Sequence, residues 1–259
     1  MRRLTSNQKE EMVKMYESGK YTFKDLDIYF GAGLGTCRGF LLRRGYKAKS
    51  HSEINRKYPL NEDFFDSINS EEKAYFLGLL YADGCNTPKV GKIMIGLSEK
   101  DKEILVTFQS SLGYNRPLYY KTAKGYENSK PQYVLTISSK KMSLKLEELG
   151  MVRAKSLVLK FPSWMNHECI NSFVRGYFDG DGSISGNKEQ KWSIIGTEDF
   201  LRGVQNIMVS TLKIGIPELR KRNNVFYLEY KGRKQIEKIK QWLYQDATIF
   251  LKRKYEKYL

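Results

Sequence analysis

The sequence predicts a mixed α/β (α+β) protein: two tandem αββαββα repeats related by pseudo-twofold symmetry, preceded by a small all-α domain. Three observations predict it. Two apolar segments, 71–83 and 168–181, have helical character and both end in Asp-Gly. The helix and strand signals after each segment come in the same order at the same distances. The first sixty residues carry thirteen Lys and Arg against six acids, on three short helix signals.

Thr5 or Ser6 can cap the first of those helices, whose apolar positions Met12, Val13, Met15 and Tyr16 have helical spacing. Thr22 can cap the second, with Leu26, Ile28, Tyr29 and Phe30 inward. Gly31 to Gly35 makes a turn, and a basic third helix runs from about Thr36 to Arg44 with Phe40 and Leu41 inward. A helix, a Gly-containing turn and a basic helix outline a helix-turn-helix domain over 1–50. The alternative is a basic three-helix cap that touches no groove. Residues 51–69, polar and holding Pro59, read as a linker.

In the first repeat, 70–165, the helix over 71–83 is followed by strand signals at 91–98, a helix over 99–113, strands at 117–121 and 132–138, a helix over 139–150 and the basic segment MVRAKS. In the second, 166–259, strand signals follow at 183–185 and 192–196, then a helix from 198 to about 215. Strands near 217–221 and 225–230, a helix over 234–244 and the basic segment FLKRKYEKY complete it. Arg153 lies 70 residues after Asp83, and Lys252 lies 71 after Asp181. Lys155 and Lys254 repeat the match at 72 and 73.

A net charge of +16, from 45 Lys and Arg against 29 Asp and Glu, points to a polyanionic partner. With 41% hydrophobic residues the chain can bury a core, which excludes a disordered basic tail. The longest apolar run, 76–82, is too short to span a bilayer, and the N-terminus lacks the apolar stretch of a signal peptide. Three scattered cysteines fit an intracellular, reducing compartment: the cytoplasm of a bacterial or phage-infected host, or an organelle.

Gly78 with Ala82, and Gly176 with Gly180, place small residues four apart on one face of each Asp-Gly helix. Glycine inside a helix costs about 1 kcal/mol relative to alanine, and close approach of two backbones explains it. These helices are therefore expected to pack together. Asp83 and Asp181 then sit at helix C-termini, facing the negative end of the dipole and each other. A divalent cation relieves both costs, because carboxylate oxygens with water and phosphate are what Mg²⁺ prefers.

The stretches FLGLLYADG and VRGYFDGDG, with KAYFLGLLYADG, FVRGYFDGDGS, IIGTEDF and LKRKYEKY around them, resemble the paired motifs of LAGLIDADG homing endonucleases over 70–259. The resemblance implies a monomer whose two motif helices form the central interface. Each repeat would lay a four-stranded sheet along double-stranded DNA as a saddle. It implies that Asp83 and Asp181 bind catalytic Mg²⁺, with Mn²⁺ able to substitute, and that Gly84 and Gly182 supply backbone at the metal. It places basic residues by the scissile phosphates; by spacing these are Arg153, Lys155, Lys252 and Lys254. They can equally be a solvated segment gripping the DNA backbone. Tyr81 stands where the second motif has Asp179, a position of helix packing. The expected activity is a double-strand break in a long DNA site. Alternatives are an RNA maturase that assists intron splicing and a catalytically silent transcription regulator on the same scaffold. DNA contacts are expected from Arg38, Arg43 and Arg44 in the third helix, and from Lys92, Arg116, Lys121, Arg220 and Arg222 in strand segments. The sequence leaves strand register open.

Overall fold

The computed structural model of the protein describes residues 4–18, 21–46, 57–123, 130–186 and 190–258. The chain divides into two compact units, Met1–Pro59 and Leu60–Leu259.

The first unit holds α1 (Ser6–Glu17), α2 (Phe23–Tyr29) and α3 (Thr36–Arg43). Thr5 and Thr22 each close a capping box, with Gln8 and Asp25 reaching back to the cap backbone. Met12, Tyr16, Leu26, Cys37 and Leu41 form the core. Buried Asp27 accepts hydrogen bonds from the backbone N–H groups of Gly35 (2.7 Å) and Cys37 (2.9 Å), tying α2 to the start of α3. Ile28 and Tyr29, expected inward, are exposed. A two-turn helix offers the core only one stripe, and Leu26 and Asp27 occupy it. Arg38 and Arg43 are exposed on α3, and Arg44, just past its end, is exposed too, with its guanidinium 4.7 Å from the Phe40 ring.

The second unit repeats one pattern twice. The first copy runs α4 (Glu71–Asp83), β1 (Gly84–Thr87), β2 (Lys92–Ser98), α5 (Lys102–Ser111), β3 (Tyr119–Lys121), β4 (Gln132–Ser138) and α6 (Lys140–Glu148). The second runs α7 (His167–Asp181), β5 (Gly182–Ser185), β6 (Lys191–Gly196), α8 (Glu198–Leu212), β7 (Arg220–Arg222), β8 (Val225–Lys231) and α9 (Arg233–Tyr244). A short helix, α10 (Lys252–Tyr255), follows. Each copy makes a four-stranded antiparallel sheet, β1-β2-β4-β3 and β5-β6-β8-β7. Strand β1, which has no separate signal in the sequence, pairs Gly84 with Ile95 as β5 pairs Gly182 with Ile194.

Period-two alternation sends Ile93, Ile95, Leu97, Leu135 and Ile137 of the first sheet into the core, and Trp192, Ile194, Leu228 and Tyr230 of the second. Residues 60–69, assigned to a linker from sequence, belong to this second unit. Phe64 and Phe65 are buried against Phe108, and the Asn61 N–H donates to the Leu112 carbonyl. Two adjacent aromatics bury more apolar area than the surrounding polar residues suggest. Linker residues 51–56 lie outside the described residues.

Candidate active site

Helices α4 and α7 pack backbone to backbone. A Cβ on Gly78 would stand 2.9 Å from the Phe173 carbonyl carbon and the Tyr177 nitrogen, and closer still to the Phe173 oxygen. A Cβ on Gly176 would meet Tyr75 and Leu79 in the same way. One on Gly180 would run into Ala82 and stand 2.9 Å from Asp83 Oδ2. Gly78, Ala82, Gly176 and Gly180 thus line one seam, and the missing side chains are what let the helices meet.

That closeness brings Asp83 and Asp181 together at adjoining helix ends. Burial, and then the facing Asp181, push the Asp83 carboxyl up to about 6, against the pull of Lys254, Lys155 and Arg253. Burial also raises Asp181, opposed by Lys155 and Lys254. Gly84 and Gly182 follow with extended backbones rather than the left-handed turn of a common helix stop. Glycine is needed there for room: a Cβ would press on the Leu80 carbonyl and Met151 at one site, and on Phe178 at the other.

Two lysines close the helix ends. Lys155 Nζ donates to the Ala82 carbonyl at 2.7 Å. Lys254, 6% exposed, donates to the carbonyls of Phe178 (2.6 Å), Gly180 (3.1 Å) and Gly182 (2.7 Å). An ammonium has three protons, so Lys254 is saturated by backbone, while Lys155 keeps two. Burial lowers both lysines, Lys254 to about 8. Arg153 is exposed, and Lys252 is exposed and pairs with Glu103 at 3.6 Å. The sequence spacing placed all four basic residues alike; the structure brings only Lys155 and Lys254 to the acids. Residues two apart in a turn or helix point in different directions.

A family model described as the LAGLIDADG-like domain matches residues 70–150 and 168–241. The chain belongs to the LAGLIDADG-like family. An uncharacterized protein of Methanocaldococcus jannaschii is 28% identical over 123 residues, 46% of this chain and 44% of that one. A DNA-directed RNA polymerase subunit of the same organism is 24% identical over 164 residues, 62% of this chain and 17% of its own length. The chain therefore spans less than half of either curated relative. Among solved structures, the homing endonuclease I-WcaI bound to its DNA recognition sequence superposes with a TM-score of 0.52 at 12% identity, over 83% of this chain and 95% of that one. Full-length DUF199/WhiA from Thermatoga maritima gives 0.49 at 16% identity, over 77% and 64%.

In this LAGLIDADG-like chain, α4 and α7 are the motif helices and their last residues are the paired acids. Among the described residues no group of three or more His, Cys, Asp or Glu side chains comes together. The donor set is two carboxylates whose mutual repulsion a cation would relieve, which fits a hard divalent ion completing its shell with water and phosphate. The Gly182 carbonyl is already engaged by Lys254. The register, closed to sequence reasoning, places Lys92 and Lys121 on the outer face of the first sheet. Arg220 and Arg222 lie on the outer face of the second. Arg116 lies in the loop before β3, off the sheet.

Sequence reasoning missed a polar clamp between the repeats. Buried Arg175 of α7 donates to the carbonyls of Leu243 (2.6 Å) and Ile249 (3.0 Å) and pairs with Glu71 of α4. Glu71 also accepts from the N–H of Thr248 at 2.8 Å. Buried Asp179 accepts from the Tyr75 hydroxyl (2.8 Å) and the Leu251 N–H (2.7 Å). Arg253 makes a bidentate pair with Asp101 of the first repeat. These contacts fix the segment that carries Lys254. Its sequence signal was present: Arg175 and Asp179 are charges inside an apolar helix, where only paired groups persist. No helix among the described residues is long and apolar enough to cross a membrane.

Proposed function

We propose that the chain is a site-specific endonuclease that makes a double-strand break in a long DNA target by metal-dependent phosphodiester hydrolysis. The observation that carries this reading is the convergence of Asp83 and Asp181 at two helix ends in backbone contact, on a chain of charge +16. A catalytically silent scaffold has no use for two carboxylates that raise each other's energy, so this arrangement favours hydrolysis over a silent regulator. Asp83 and Asp181, with backbone at Gly84, would hold Mg²⁺ or Mn²⁺. When bound, such an ion stabilises charge on the phosphate and favours deprotonation of water.

The chain's own residues do the rest. The glycine seam fixes the distance between the acids. Lys155, with two protons free, is placed to donate to the phosphate or to orient water. Lys254 holds the end of α7 and keeps the Gly180 and Gly182 backbone in place. The outer sheet faces bind the duplex, and the three-helix unit, read as a helix-turn-helix, adds contacts on flanking DNA through Arg38 and Arg43. One chain supplies both acids, so a monomer suffices.

The test is cleavage of a duplex recovered from a randomised library. Asp83→Asn or Asp181→Asn is expected to abolish double-strand cleavage while binding stays within about threefold. Wild-type cutting of both strands by either variant refutes the assignment.

A further inference from the structure

The outer faces of the two sheets are chemically unlike. On the first, Cys85, Met94 and Thr136 stand in register across β1, β2 and β4, with Tyr119 on β3 beside Val134. On the second, the same places hold Ser183, Ser193 and Glu229, with Arg220 on β7 beside Tyr227. Glu229 is a carboxylate on a basic face, yet its side chain is only 6% exposed. Lys191 donates to its Oε1 at 2.8 Å. Arg220 Nη1 lies 3.5 Å from its Oε2, an atom that is buried and has no hydrogen bond. Burial raises the Glu229 carboxyl, but Lys191, Arg220 and Arg222 outweigh it and keep the group below the usual range. It is an ionised carboxylate bracing cations.

Its position excludes a direct reading of DNA. With the side chain only 6% exposed, Oε2 without solvent access and Oε1 turned to Lys191, Glu229 is poorly placed to accept from a cytosine amino group. Nor does it help grip the backbone, because a carboxylate beside Arg220 repels phosphate and offsets its charge. A neutral base edge carries no such penalty. An arginine drawn towards a fixed carboxylate but not hydrogen-bonded to it keeps all its N–H donors for the O6 and N7 acceptors of guanine in the major groove. Arg220 is 58% exposed and so free to reach out.

Resting on the endonuclease reading, we propose that the second sheet reads a guanine with Arg220, that Glu229 is the positioning residue for that contact, and that Tyr119 and Thr136, at the matching places of the first sheet, do not reproduce it. The two half-sites are then recognised by different chemistry, and guanine preference at the Arg220 position belongs to one of them.

The experiment is selection of a randomised double-stranded DNA library by the full chain in EDTA, followed by sequencing. One position in one half-site is expected to favour guanine about tenfold or more over other bases. Arg220→Gln should lower that preference at least fivefold and leave the remaining profile intact. Glu229→Gln, which keeps the shape, should lower it at the same position while the second unit still unfolds in one cooperative transition. The double variant should match Arg220→Gln alone, an outcome that a merely structural role for Glu229 does not produce. Thr136→Ala should leave the guanine preference in place. Full preference in Glu229→Gln overturns the proposal. So does an Arg220→Gln that weakens all sequences alike and lowers the salt slope by about one, the mark of a phosphate contact. Enrichment of no duplex by the wild type overturns both this proposal and the endonuclease reading; the other two failures leave that reading standing.

Discussion

Replacing Gly78 by alanine tests the idea that backbone contact between α4 and α7 builds the site. The added Cβ would stand 2.9 Å from two backbone atoms of α7 and overlap the Phe173 carbonyl oxygen. Ordinary contacts begin near 3.5 Å, so the helices must part by about 1 Å. No rotamer change can relieve it, because the obstruction is main chain. Overpacking of this kind costs about 1–3 kcal/mol or more. The helix-propensity gain of Gly→Ala offsets about 1 kcal/mol. Because the clash is with backbone the upper end of that range applies, and the net loss of about 2 kcal/mol lowers the melting temperature of a unit this size by roughly 4–8 °C. Trp164, Trp192 and Trp242 all lie in the second unit, so tryptophan fluorescence follows its unfolding alone. Because the acids sit at the ends of these helices, a displacement of about 1 Å also lowers cleavage by roughly a hundredfold. Gly39→Ala is the control: its Cβ would meet only the Arg43 side chain, at 3.7 Å. A Gly78→Ala protein that melts within 1 °C of wild type and cuts normally would refute the reasoning.

Lys254→Met leaves three carbonyls without their donor and should destabilise the second unit by at least about 2 kcal/mol in urea unfolding. Lys155→Met removes one such bond, so it should unfold near the wild-type midpoint while its single-turnover cleavage rate falls. Mg²⁺ at ten times its dissociation constant should stabilise the second unit by about 1.4 kcal/mol in a fluorescence melt. Asp83→Asn and Asp181→Asn should each remove that shift. Arg38→Ala combined with Arg43→Ala should lower the salt slope of duplex binding by about two, read from titrations at several salt concentrations. An unchanged slope favours a three-helix cap that touches no DNA.

The element order of both repeats was legible because its signals are local: apolar periodicity, Thr and Ser caps, and an Asp-Gly that recurs at matched distance. Strand β1 escaped because four residues, GCNT, carry almost no periodic signal, and only pairing with β2 makes them a strand. Inward placement of Ile28 and Tyr29 failed for the opposite reason, since hydrophobicity says nothing about which side of a two-turn helix finds a core.

The sequence alone determined the paired acids, the small-residue seam and the basic character of the chain, because each follows from residue type and spacing along one helix or segment. Tertiary structure decided what those residues can do. Four basic residues at matched spacing became one saturated lysine, one lysine with protons to give and two that do not reach the acids. Two similar sheets acquired unlike faces, one with a buried carboxylate bonded to a lysine and 3.5 Å from an arginine. Hydrogen-bond saturation and strand register depend on atoms dozens of residues apart, so only the folded chain sets them.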